Sequence, residues 1–155
     1  MTDDALRQRR LQVLHTHFQS EIDHDWDTCL RTFNGRPHYE IMATGQVYDG
    51  DEEVLNYHRN QRIAFPDQRH ENVRYHFADD VVVTEFDLLG TNLGPFLGLE
   101  PTGKSFRVPV VALFFFEVPF PVVIVTIVPA GDASVMSRSP GKVCVIAIAT
   151  STSQR

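Results

Sequence analysis

The sequence predicts an α+β domain, with N-terminal helices gathered on one face of a strongly curved, mainly antiparallel sheet. Three observations lead there. Apolar residues recur at helical spacing before residue 65, and the period changes to two after residue 68. Helices therefore come first and strands follow, the order of an α+β chain and not of an alternating parallel sheet. The 155 residues also suffice for one core and leave little room for a second.

Residues 4–20 read as an amphipathic helix with Leu6, Val13, Leu14, His17 and Phe18 near one face. A short second helix starts near Asp25, because Trp26, Cys29, Leu30 and Phe33 repeat at helical spacing, and Asn34-Gly35 ends it. Residues 38–42 and 45–50 suit short strands around a Thr44-Gly45 turn. Asp49 or Asp51 can cap a third helix, with Glu52 and Glu53 in its first turn. That helix runs to about Ala64 and stops ahead of Pro66, since the residue before a proline avoids helical angles. Strands follow at 69–78, 81–91 and 104–117, joined by Asp79-Asp80 and by a Gly/Pro-rich loop at 92–103.

Charge divides the chain unevenly. Residues 1–117 carry 11 basic and 19 acidic groups, whereas residues 118–155 carry three basic groups and one acidic. All seven histidines and 15 of the 16 aromatics lie before residue 118, which marks a break at Glu117. The expected organisation is a domain at 1–117 followed by an atypical β-prone segment at 118–155. The net charge of −6 argues against a nucleic-acid partner. Two cysteines, Cys29 and Cys144, make neither a disulfide framework nor a zinc-ligand set. His15, His17, His24 and Asp27 show no recognisable ligand spacing, so no metal and no cofactor are expected. The apolar stretch 108–128 has the length of a membrane span, but Glu117 and three prolines interrupt it, and it reads as two strands. The N-terminus has no apolar signal region, and a cytoplasmic location is expected.

Polar residues stand where a dry core would place apolar ones. The inner stripe of the third helix should pass through Val54, Tyr57 or His58, Gln61 and Phe65. A helix presenting Tyr, His and Gln to a sheet suits the wall of a pocket, where buried polar groups find partners. On strand 81–91, Glu85 shares a face with Val81, Val83 and Asp87. Against an apolar cavity that carboxylate would be a general acid or base; on an outer face it would be solvated. His76 raises the same alternative one strand earlier. Parity alone leaves both open. Glu85 and His76 are the candidate catalytic pair, with Tyr57, Gln61, Phe96, Phe106 and Phe114 as candidate substrate contacts. Strand 104–117 is apolar on both faces, so a homodimer through the outer sheet face is expected.

The stretch 65–108 resembles the SnoaL-like polyketide cyclases, also called ester cyclases, of the nuclear transport factor 2-like group. The resemblance lies in Phe65-Pro66-Asp67, Asp79-Asp80-Val81-Val82-Val83, Gly90-Thr91, Gly94, Phe96-Leu97-Gly98 and Pro101-Thr102-Gly103-Lys104. It implies a cone whose helices close a curved sheet around an apolar pocket for a small molecule. It also implies acid/base cyclisation or isomerisation of a carbonyl compound without a cofactor. A non-catalytic module that binds an apolar ligand or dimerises is the alternative. The likeness ends at Glu117. The family's final strand, with its acid/base aspartate, finds no match in residues 118–155, which offer only Asp132. Residues 122–128 suit the place of that strand, and 142–150 suit an edge or a bridge to another subunit. A reading-frame change after codon 117 would account for the break; another frame of the nucleotide sequence should then restore the missing strand.

Overall fold

The computed structural model describes residues 3–33, 35–41 and 44–116, and the backbone of 124–129. Helix α1 spans Asp3–Asp23 and begins with Asp3 and Asp4 at the positive end of its dipole. Its buried side runs Arg10, Leu14, His17, Phe18, Ser20 and Glu21, apolar at Leu14 and Phe18 and polar or charged at the rest. Arg10 reaches across the fold and donates to the carbonyls of Ala78 (3.1 Å) and Asp79 (2.7 Å). Helix α2 spans Trp26–Arg31, and the Asp25 carboxylate accepts from the Thr28 N–H at its N-terminus, at 3.1 Å.

Strands β1 (His38–Ile41) and β2 (Gln46–Asp49) form an antiparallel hairpin. Helix α3 spans Asp51–Ala64. Gly50 ahead of it adopts a left-handed φ of 95°, and a side chain there would press on the Arg36 guanidinium. The Glu53 carboxylate reaches back to accept from the Asp49 N–H at 2.8 Å. Strands β3 (Arg69–Phe77), β4 (Val81–Thr91), β5 (Ser105–Phe115) and β6 (Ile124–Pro129) complete one sheet, in the order β2-β1-β6-β5-β4-β3. Every pairing is antiparallel except that of β1 with β6. The sheet stays open, with β2 and β3 at its edges.

Strand β6 occupies the position in which residues 122–128 were expected, beside β5. The expectation for residues 142–150 lies outside the described residues. No helix among the described residues is long and apolar enough to cross a membrane.

One parity of the sheet faces the helices. Val82, Thr84 and Phe86 on β4, and Val110, Ala112 and Phe114 on β5, are buried. With Leu14, Phe18, Phe33, Tyr39, Val54 and Phe116 they form the core. Strand β3 obeys the same rule only as far as Val73. Between Glu71 and Arg74 one extra residue enters β3 relative to β4, with Asn72 at φ 56°. This bulge reverses the parity, so that Val73, Tyr75 and Phe77 and, beyond it, His70 all lean inward.

Candidate functional site

A polar cluster lies between α1, α3 and the sheet, centred on Glu21. Its carboxylate is nearly enclosed, which is costly unless the charge is paired. Two groups of partners divide its oxygens. On Oε1, His17 Nε2 lies at 3.1 Å, the Tyr39 hydroxyl at 3.4 Å and His58 Nε2 at 3.8 Å. On Oε2, His70 Nε2 lies at 3.5 Å and Arg62 Nη2 at 3.9 Å. Arg62 is anchored by donating twice to the Glu21 carbonyl, from Nε at 3.2 Å and from Nη2 at 3.0 Å. Burial works against the charged carboxylate, but His58, His17 and His70 outweigh it and hold the Glu21 pKa far below the usual range.

Local chain geometry assembles the cluster. Glu21 follows His17 by one helical turn, so both side chains leave α1 on one face. The Thr32 hydroxyl donates to the Cys29 carbonyl at 2.6 Å, and its oxygen therefore accepts from His17 Nδ1–H at 2.7 Å. That bond turns His17 Nε2 towards Glu21 and the Tyr39 hydroxyl, 3.0 Å away. Tyr39 Oη also lies 3.1 Å from His58 Nε2. Cys29 Sγ sits 3.8 Å from His17 Nδ1 and 4.0 Å from His58 Nε2. Burial opposes charge on both His17 and Cys29, yet each favours the charged form of the other. The His17 pKa rises to about 10 and that of Cys29 falls to about 7.

A cavity of about 30 Å³ opens beside the cluster, with room for a water-sized group. Phe18, Phe86, Leu88 and Ala112 line it together with Glu21, His58, Arg62 and His70. Two buried atoms of this lining have no hydrogen-bond partner among the described residues: His70 Nδ1 and Gln68 Oε1. Burial pushes the His70 pKa down to about 4, so its ring is neutral at pH 7. Beside an ionised Glu21 the proton belongs on Nε2, which leaves Nδ1 with a free lone pair. The ring is clamped between Phe18 (centroids 4.6 Å apart) and Phe86 (4.9 Å). A fixed imidazole with a carboxylate behind it can take up and return a proton.

The structure separates the residues that the sequence singled out. Tyr57 and Gln61 line the cavity. Glu85 and His76 do not: both stand on the outer face of the sheet, the opposite parity from Thr84 and Phe86. There Glu85 pairs with Arg74 at 2.6 Å and with His76 at 3.5 Å, all three partly exposed. Phe114 is core, packed against Phe18 and the His17 ring. Phe96, in the 92–103 loop, and Phe106 pack on Phe65 and are not among the residues lining the cavity. Sequence reading passed over Glu21, Arg62, Gln68 and His70. The i, i+4 spacing of His17 and Glu21 was the available signal for the first.

The sequence pattern of the SnoaL-like polyketide cyclases matches residues 12–118. The chain belongs to that family. The match runs from the middle of α1 through β5 and ends one residue beyond the compositional break at Glu117. Solved structures share the SnoaL-like fold at low identity. A proposed polyketide cyclase from Xanthomonas campestris pv. campestris is 17% identical with a TM-score of 0.69, over 78% of this chain and 90% of that one. A proposed SnoaL-like polyketide cyclase from Jannaschia sp. CCS1 is 23% identical with a TM-score of 0.68, over 79% and 86%. A third, IdmH from Streptomyces antibioticus, also a proposed polyketide cyclase, is 18% identical with a TM-score of 0.63, over 77% and 90%. A search of curated proteins gives no match.

Proposed function

We propose that the chain catalyses proton transfer on a small, largely apolar carbonyl compound, leading to cyclisation or isomerisation. The observation that carries this reading is the Glu21–His70 pair, with an unpartnered Nδ1 on a residue that lines a cavity shared with Phe18, Phe86, Leu88 and Ala112. In this reading His70 Nδ1 removes a proton from the carbon beside a carbonyl. Glu21 holds the tautomer and stabilises the imidazolium that forms, and Arg62 lends positive charge to the enolate oxygen. The enolate carbon then attacks a second carbonyl, forming a C–C bond, or takes the proton back at another carbon. His70 returns the proton in either case. A base with a pKa near 4 is unprotonated at pH 7 and suffices where the enolate is well stabilised. Membership of the SnoaL-like family supports the same chemistry.

The test is hydrogen–deuterium exchange at the central carbon of a small 1,3-diketone, followed by NMR with the full chain. Wild type should accelerate exchange, and His70→Ala should remove about 10²–10⁴-fold of that acceleration. Glu85→Gln, on the outer face, should leave it intact. Exchange by His70→Ala at the wild-type rate would overturn the assignment. Binding of the diketone without any acceleration would favour the alternative, a non-catalytic ligand-binding module.

A further inference from the structure

The Oε1 side of Glu21 gathers more donor atoms than a hydrogen-bond network requires. Among the described residues, His17, Glu21 and Cys29 each bring a ligand atom to within 4.8 Å of the others, and all three are buried. His58 joins them: its Nε2 lies 4.0 Å from Cys29 Sγ and 3.8 Å from Glu21 Oε1. We propose that His17, Glu21, Cys29 and His58 form a binding site for a first-row divalent transition ion, of which zinc is the best match.

Ligand chemistry and spacing both support this. Two imidazoles, one carboxylate and one thiol suit a borderline-soft ion and are a poor set for magnesium or calcium. Tetrahedral bonds of 2.0–2.3 Å place neighbouring N and O ligands about 3.3 Å apart, and S and N ligands about 3.6 Å apart. His17 Nε2 and His58 Nε2 lie 3.1 and 3.8 Å from Glu21 Oε1, His58 Nε2 lies 4.0 Å from Cys29 Sγ, and one ligand atom each of His17, Glu21 and Cys29 lie within 4.8 Å of one another. Side-chain movements on the order of an ångström close the set. The supporting contacts are those a metal centre uses: Thr32 holds His17 Nδ1, and His70 and Arg62 flank the second oxygen of Glu21. Trp26 stacks on the His58 ring at 5.5 Å and 21°. The Tyr39 hydroxyl, within hydrogen-bonding reach of both imidazoles, bridges the donors. On binding, the Cys29 thiol proton and any proton on His17 Nε2 pass to solvent, and the ion takes their place. The site shares Glu21 with the proton-transfer reading, which uses its other oxygen, Oε2, and His70.

The full chain, stripped with a chelator, would be titrated with Co²⁺ and followed by absorbance. The expected result is saturable binding of one equivalent. It should show visible bands of four-coordinate cobalt and a near-ultraviolet thiolate-to-metal band, with Zn²⁺ displacing the cobalt. Cys29→Ser should lose the near-ultraviolet band, whereas Cys144→Ser should keep it. Glu21→Gln, where it folds by circular dichroism, should bind about tenfold or more weakly. Absence of saturable binding, or a thiolate band that survives Cys29→Ser, would overturn the proposal. The readout is a spectrum and not turnover, so failure of the carbonyl chemistry would leave it unaffected.

Discussion

Replacing Glu21 with Gln keeps the shape of the side chain and deletes the only carboxylate, among the described residues, in a cluster of three imidazoles and a guanidinium. Arg62 would then hold positive charge in the interior without a counter-charge, and His17 would keep only Cys29. Breaking a buried pair in this way costs about 3–5 kcal/mol, because the remaining charge stays desolvated. For a domain of this size each kcal/mol lowers the melting temperature by roughly 2–4 °C, so a fall of roughly 6–20 °C is expected. Glu85→Gln is the matched control. It also removes a paired carboxylate, but one on the outer face beside an exposed Arg74, where such pairs are worth about 0–1 kcal/mol. Thermal unfolding followed by circular dichroism separates the two. Equal, small shifts in both variants would refute the reasoning, for they would mean that solvent or a neighbouring proton neutralises Glu21 in the native state. A His17→Leu, Glu21→Leu double replacement should recover part of the loss, since a coupled pair costs less to remove together than singly.

Three further outcomes follow from single positions. Gly94→Ala should destabilise by about 1–3 kcal/mol in urea unfolding, because a Cβ there runs into the Ile63 carbonyl at the end of α3. Asp67→Ala should lower hydrogen-exchange protection of the Thr91 amide, which now donates to the Asp67 carboxylate at 2.6 Å. His38 should titrate above its ordinary value in NMR: burial opposes its charge, but Glu40 and Asp49 outweigh that and raise its pKa. Its contribution is then full below the unfolded pKa of about 6.5 and is lost as pH rises through the higher folded value, so His38→Gln should flatten stability across that window.

The fold was legible because periodicity and punctuation agreed. Trp26, Cys29 and Phe33 recur at helical spacing beside an Asp that caps their helix, and Phe65 before Pro66 ends α3 as that dipeptide requires. The face of β4 was not legible. Val81, Val83, Glu85 and Asp87 alternate with Val82, Thr84, Phe86 and Leu88, and both sets are apolar enough to face a core. The choice rests on long-range partners: Val82 and Phe86 meet β5 residues of the buried parity, while Arg74 lies opposite Glu85 on β3 and pairs with it outside.

His70 shows most clearly why a site can be invisible in an alternation that is otherwise sound. Counting back by twos from the inward residues Phe77, Tyr75 and Val73 gives Glu71 an inward direction and sends His70 outward with His76. The extra residue at the bulge reverses this, and only Asn72, a residue that tolerates a left-handed backbone, hints at it in the sequence. The bulge also divides the acidic and basic groups. Before it, His70 turns in to Glu21; beside it, Glu71 turns out to Arg107 at 2.6 Å, and Asn72 donates to Asp87 at 2.8 Å. Pairing the same residues without the bulge would therefore put Glu71 inward in place of His70, setting it against Glu21. Two like charges in that enclosure would repel. The irregular strand is thus a condition for the polar cluster, and the position of the candidate base depends on it as much as on the identity of the residue.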